Sequence, residues 1–260
     1  MKRRSELILL FIWPLAVGAI FLTTHVNIVV SAVLFFGVPG ACLSFRMPRI
    51  APRALLFSVI AGPLVGIPFE AIIEAMRIYI VPSSIFGGFR LFGFVTVDVL
   101  IWAVLWFFFV IMFYEAEFNL RTANKPLVRP RMKVLVGILG VMFLVFVTVF
   151  MRYNAPPHVD FWYLKYGIVV VVLPLLAFLW RYPRMRMRLL VSNLYYVVVF
   201  SVHELASLRL GLWYFPDSGQ TIGRFTVLGQ TMAFEELLVF ILLSVITVVA
   251  YYEYFDDDSR

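Results

Sequence analysis

Polar residues in this chain come as punctuation between long apolar runs. Eight apolar stretches follow one another, at 7–22, 26–45, 54–81, 92–114, 134–151, 161–180, 189–215 and 232–252. A run near twenty residues is the length of a helix that crosses hydrocarbon, and most of these reach it. The pattern predicts an all-α integral membrane protein with about eight transmembrane helices. The third and seventh runs exceed one span, which predicts either a tilt or a turn outside the membrane at one end. The first follows Met1-Lys2-Arg3-Arg4, as a signal peptide would, but no small-x-small cleavage site comes after it. It is expected to be a retained helix.

Composition supports lipid as the solvent: 63% of the residues are hydrophobic and 14% charged, more apolar surface than a water-soluble chain of 260 residues can hide. The net charge of +7 does not imply nucleic acid, because the basic residues sit between the apolar runs. Lys2, Arg3 and Arg4 precede the first run. Arg46, Arg49 and Arg53 follow the second. Arg121, Lys125, Arg129, Arg131 and Lys133 follow the fourth, and Arg181, Arg184, Arg186 and Arg188 the sixth. The alternate loops hold chiefly Arg90, Arg152, Lys165 and Arg224. The positive-inside rule then predicts a multi-pass protein of the cell membrane with both termini cytoplasmic. Cys42 is the sole cysteine, so no intrachain disulfide and no cysteine metal cluster is expected.

The punctuation repeats. Pro39, Arg46, Pro48, Arg49 and Arg53 recur as Pro174, Arg181, Pro183, Arg184 and Arg188. Glu70, Tyr79, Pro82 and Ser84 recur as Glu204, Trp213, Pro216 and Ser218, and Asp98, Tyr114 and Glu115 as Glu236, Tyr252 and Glu253. Two tandem four-helix repeats are expected, 1–125 and 126–260. An even helix number gives both the same orientation, with a site between them.

Carboxylates inside apolar runs are costly and mark function by default. Glu70 and Glu74 share a helix face. Glu204 lies nine residues before Trp213, about 13 Å deeper if the helix is continuous. Asp98 opens the fourth run, where a helix N-terminus would itself stabilise a carboxylate. Glu235 and Glu236 open the eighth, and Leu237-Leu238-Val239-Phe240 draws them towards an apolar site where one is expected to hold its proton at neutral pH. Three plainer readings stand beside these. Glu74 and Arg77 form an ion pair. Glu115 and Glu253, beside Tyr114 and Tyr252, are anchors at the interface. Asp256-Asp257-Asp258 is a solvated tail.

Tyr79, Trp102, Trp106, Trp213, Tyr214, Phe215 and Phe234 belong either to an interfacial aromatic belt or to a wall that stabilises a cation. His203, beside Glu204, reads as a hydrogen-bonded packing residue as readily as a site residue. His25 and His158 are remote from it in sequence, and no metal-ligand spacing, phosphate loop, dinucleotide fingerprint or nucleophile elbow is present. No cofactor is expected.

Gly211-Leu212-Trp213-Tyr214-Phe215-Pro216-Asp217, Gly223, and Ala233-Phe234-Glu235-Glu236-Leu237-Leu238-Val239-Phe240 together resemble the membrane-integral lycopene cyclases of bacteria, archaea and fungi. Those proteins carry a Trp-containing loop and a Pro-x-Glu-Glu motif that opens a helix. Here Ala233 replaces the motif's Pro, and Val95-Thr96-Val97-Asp98 keeps only its second acid. The resemblance implies an isomerase of carotenoid biosynthesis that cyclises a linear end group without redox chemistry. Glu235 or Glu236 would deliver the proton. Asp98, Glu70 or Glu204 would take one back. Trp213, Tyr214, Phe215, Phe234, Trp102 and His203 would contact the substrate. The implied partners are a carotenoid or other isoprenoid, the lipid bilayer and other carotenoid enzymes. A hydratase using the same cation, or a transporter or assembly protein without catalysis, is the alternative.

Overall fold

The computed structural model describes residues 3–118 and 129–256. Lys2, Arg121, Lys125, Asp257 and Asp258 lie outside them. Among the described residues, seven helices are long and apolar enough to cross a membrane. They are α2 (Ile28–Arg46), α3 (Ala51–Ala75), α4 (Val97–Phe118), α5 (Pro130–Tyr153), α6 (Trp162–Arg181), α7 (Pro183–Arg209) and α8 (Glu236–Asp256). They are preceded by α1 (Arg3–Phe21), whose apolar part, Ile8–Phe21, is shorter than the others. The protein is therefore a mostly helical, multi-pass membrane protein. Lipid tails are as apolar as leucine, so helices associate here through close packing and hydrogen bonds instead of burial from water.

The helix boundaries follow local chemistry. Asn27 caps α2 by accepting the Val30 N–H at 2.9 Å. Pro52 and Pro130 sit in the first turns of α3 and α5, where a missing N–H costs nothing. Helices α2 and α6 each contain a π-helical stretch, Val33–Gly37 and Gly167–Val172, just before Pro39 and Pro174. A proline removes one i→i−4 bond, and a wider turn accommodates the break.

The third and seventh apolar runs are not continuous helices. Helix α3 stops at Ala75 and α7 at Arg209, and the chain then turns back through Arg77 (φ 53°) and Gly211 (φ 66°). Of the two expectations for these long runs, the turn at one end is what occurs. Two short hairpins, unforeseen in the apolar pattern, follow these turns: β1 (Arg90–Leu91) with β2 (Val95–Thr96), and β3 (Arg224–Val227) with β4 (Gln230–Ala233).

Helices α4 and α8 pack together at the centre. Helix α2 lies on α4, and α6 on α8. Helix α3 packs on α4, and α7 on α8. The outer helices cross over: α1 packs on α7, and α5 on α3. The match is not complete: among the described residues α5 also packs on the last turns of α8, Tyr252–Asp256, with no equal between α1 and α4. Helix α1 also packs on the π stretch of α2, whereas α5 makes no substantial contact with α6.

At the end of the bundle that carries the basic loops, Arg53 is buried. Its guanidinium donates to the Tyr252 hydroxyl at 2.8 and 3.1 Å, and it pairs with Asp256 at 3.2 Å and Glu115 at 3.5 Å. Glu115, Glu253 and Asp256 are 0%, 0% and 1% exposed, so neither the interfacial-anchor reading nor the solvated-tail reading holds for them. Three helix ends converge there, and a buried arginine needs carboxylates around it.

Candidate active site

Between α3, α4, α5, α6, α7 and α8 runs a cavity of about 1260 Å³. Its lining on α5 extends from Arg131 to Val149, about 27 Å at the rise of an α-helix. The walls are overwhelmingly apolar, with rings from Phe69, Trp102, Trp106, Tyr166 and Phe240. Trp102 stacks on Phe240 at 5.6 Å between centroids, and Trp106 lies 5.0 Å from the same ring.

Three carboxylates enter this cavity at one end: Glu70 from α3, Glu204 from α7 and Glu236 from α8. They are 2%, 4% and 6% exposed, and none has an ion-pair partner among the described residues. Each has one oxygen held by an aromatic donor. The Tyr79 hydroxyl donates to Glu70 Oε1, Trp213 Nε1 donates to Glu204 Oε1 at 2.9 Å, and the Tyr163 hydroxyl donates to Glu236 Oε2. Tyrosine can pass a proton on and accept one, whereas tryptophan only donates. Burial first, and then the charge of Glu70, pushes the Tyr79 hydroxyl well above its ordinary pKa, so it remains a neutral donor.

Tyr79 and Trp213 reach these positions because of the turns at Arg77 and Gly211. Each segment beyond its turn runs back over the cavity, and the two segments pair. Ile80 N–H donates to Tyr214 C=O at 2.9 Å, and Tyr214 N–H to Ile80 C=O at 3.1 Å. Extended backbone alternates its side chains. Trp213 and Phe215 therefore point inward, 8% and 5% exposed, and Tyr214 outward at 45%. The 13 Å offset expected between Glu204 and Trp213 does not exist, since the helix ends and the tryptophan folds back onto the acid.

The structure thus divides the residues singled out in the sequence. Glu70, Glu204, Glu236, Trp102, Trp213 and Phe215 share the cavity. Asp98 and Glu235 are buried but do not line it; they hold loops. Asp98 accepts from the Ser84 hydroxyl and from Ile85 N–H at 3.1 Å, and Glu235 accepts Ile222 N–H at 2.7 Å. A carboxylate opening a helix is well placed to tie down the segment before it. Tyr214 and Phe234 face outward, and His203 packs behind the wall. Its Nε2 lies 3.2 Å from the Ser31 hydroxyl and 3.4 Å from Trp102 Nε1, with Phe35 at 4.9 Å. Glu74 does not pair with Arg77, which is exposed; its partner is Arg90, at 2.9 Å.

The sequence reading missed Tyr163 altogether. It stands 73 residues from Glu236, at the start of a span where aromatic residues are expected anyway. No group of three or more His, Cys, Asp or Glu side chains suited to a metal ion occurs among the described residues. No family model, curated protein or solved structure matches the chain.

Proposed function

We propose that the protein is a membrane isomerase of the lycopene cyclase type, which closes a ring at the end of a linear carotenoid or related isoprenoid by proton-initiated chemistry. One observation carries the reading: three carboxylates without cationic partners face the end of a long, apolar, ring-lined cavity. A cavity about 27 Å long suits an extended polyene. Acids at one end suit chemistry at one end group. A proton-coupled transporter calls for acids along a path open to both sides, and the far end of this cavity has Arg131, Arg181, Tyr182 and Tyr254 with no carboxylate in its lining.

In this reading Glu236 donates its proton to C2 of the terminal alkene. The C1=C2 pair forms the new C–H bond, and C1 becomes a cation flanked by ring faces of Trp102, Trp213 and Phe240. The C5=C6 pair attacks C1, closing the ring and moving the charge to C5. Glu70 or Glu204 then removes a ring proton, and the C–H pair becomes the ring double bond. No oxidant or reductant is needed. Tyr163 orients the acid, and Tyr79 and Trp213 orient the bases.

The two halves are further proposed to be copies of one four-helix unit in the same orientation, which accounts for the paired helix contacts. The basic loops and both termini are assigned to the cytoplasm, and the carboxylate end to the outer side of the cell membrane.

The test is expression in a bacterial host that accumulates lycopene, with the pigments separated by chromatography. Conversion of lycopene to a cyclic isomer of unchanged mass is expected. Unchanged lycopene, with the protein in the membrane, would overturn lycopene as the substrate.

A further inference from the structure

The segment pair over the carboxylates is fastened from outside the cavity by two arginines. The Arg90 guanidinium donates to Val81 C=O at 2.6 Å, to Phe94 C=O at 2.9 Å and to Glu74 at 2.9 Å. Glu74 Oε1 in turn accepts Val81 N–H at 2.9 Å, so residue 81 is gripped at both its backbone groups. On the other segment Arg224 donates to Phe215 C=O at 2.7 Å and reaches Asp217 only at 3.8 Å. Between these two grips lies the reciprocal Ile80–Tyr214 pairing. Its inner face carries Tyr79, Trp213 and Phe215 into the cavity, and Val81 is fully buried.

We propose that this fastened pair is a water-excluding cap that decides the fate of the cation, with Arg90 and Arg224 as its positioning residues. The inference rests on the cation chemistry proposed above. At the C1 cation two nucleophiles compete. The C5=C6 pair gives a ring and, after proton loss to a carboxylate, an isomer. A water molecule gives a C–O bond; a carboxylate takes the proton it loses, and the product is heavier by one water. The alkene is tethered and always present, so the outcome depends on whether water reaches C1. A closed site suppresses such side reactions. The cap lays Tyr79, Trp213 and Phe215 over the carboxylate end of the cavity, and neither arginine lines the cavity.

Two measurements on the full-length protein in lipid nanodiscs test this. The first is backbone amide exchange over 78–82 and 212–216, which needs no substrate. The second is the mass of the products formed from lycopene. Arg90→Ala is expected to speed exchange at Ile80 and Tyr214 about tenfold, in line with the loss of hydrogen bonds to a charged group. It should also raise the hydrated share of the product by a similar factor, and Arg90→Lys should restore part of the cyclic share. Arg224→Ala, with fewer bonds to lose, should act in the same direction and less. Unchanged amide exchange in both alanine variants overturns the fastening role. Faster exchange with cyclic product alone overturns the link to the cation. A wild-type protein inactive on lycopene would overturn lycopene as the substrate, and the cap's role in choosing between its products with it, while the amide measurement still decides whether the arginines hold the segments.

Discussion

The flank formed by α1 and α2 and the flank formed by α5 and α6 use corresponding helices to opposite ends. On the first, α1 closes down. Gly18 lets it approach α7 so tightly that an added Cβ would meet Val202 at 2.6 Å. Phe21, Phe35 and Phe36 fill the space beneath and are at most 1% exposed. On the second, α5 stands off from α6, and Gly137 and Gly140 have nothing within 4 Å of where a Cβ would be. The interior pairs differ accordingly. Ser31 sits against His203 on the closed flank, whereas on the open flank Tyr166 lies 4.5 Å from Phe69, with both rings in the cavity wall. One flank is core and the other is a slot. The difference lies in the packing of one outer helix, since the central α4–α8 contact serves both.

The largest effect is expected where the open flank meets the acid. Glu236→Gln should lower turnover of the proposed cyclisation about 10²- to 10⁴-fold, because an amide cannot donate the proton. Thermal unfolding in detergent should show the protein still folded, since Gln keeps an acceptor for Tyr163. Full activity in this variant would remove Glu236 from the mechanism.

Next in size is a site outside both flanks. Arg53→Met leaves Glu115 and Asp256 buried without their arginine, and should destabilise by about 3–5 kcal/mol. If Arg53 were only a topology signal, the melting temperature would not move.

Ser31→Tyr places on the closed flank a ring like the one Tyr166 carries on the open flank. Overpacking there should cost about 1–3 kcal/mol. The reverse change, Tyr166→Ser, should enlarge the slot and reduce turnover with a smaller loss of stability. Equal destabilisation by both changes would mean that the flanks do not differ as described.

The smallest effect is expected at the turns. Arg77 adopts the left-handed conformation that Gly211 adopts at the other turn. Arg77→Gly should therefore relieve backbone strain of about 1 kcal/mol, raising the melting temperature slightly without altering turnover.

How much of this was legible in the sequence depends on the range of the interaction. Seven of the eight apolar runs correspond to helices able to span a membrane, and the first to a shorter apolar helix, because run length is a local property read directly against bilayer thickness. Glu70, Glu204 and Glu236 were flagged for the same reason, as charges in apolar surroundings. What failed was the point at which the two long runs turn back, and the rotation of individual side chains. The apolar run carried on through Ile78–Val81 and Leu212–Phe215, which masked the stops of α3 and α7, although Arg77, Arg209 and Gly211 stood at those stops in plain view. Asp98 and Glu235 had the same credentials as Glu236, yet hold loops outside the cavity. The side of a helix a residue faces is set by its neighbours, and an all-round apolar span such as α4 carries no stripe to predict it.

By itself the sequence determined that this chain lives in lipid, where it crosses, which loops carry the positive charge, and that acids lie at spans where acids are expensive. Each follows from the cost of placing a given residue in hydrocarbon, paid residue by residue. Only the tertiary structure decided that Trp213 folds back onto Glu204, that Tyr163 meets Glu236, that Arg90 and not Arg77 answers Glu74, and that one flank is closed while the other is open. Those outcomes turn on two left-handed residues and on the close approach of helices far apart in sequence, and no local pattern of apolar and polar positions encodes either.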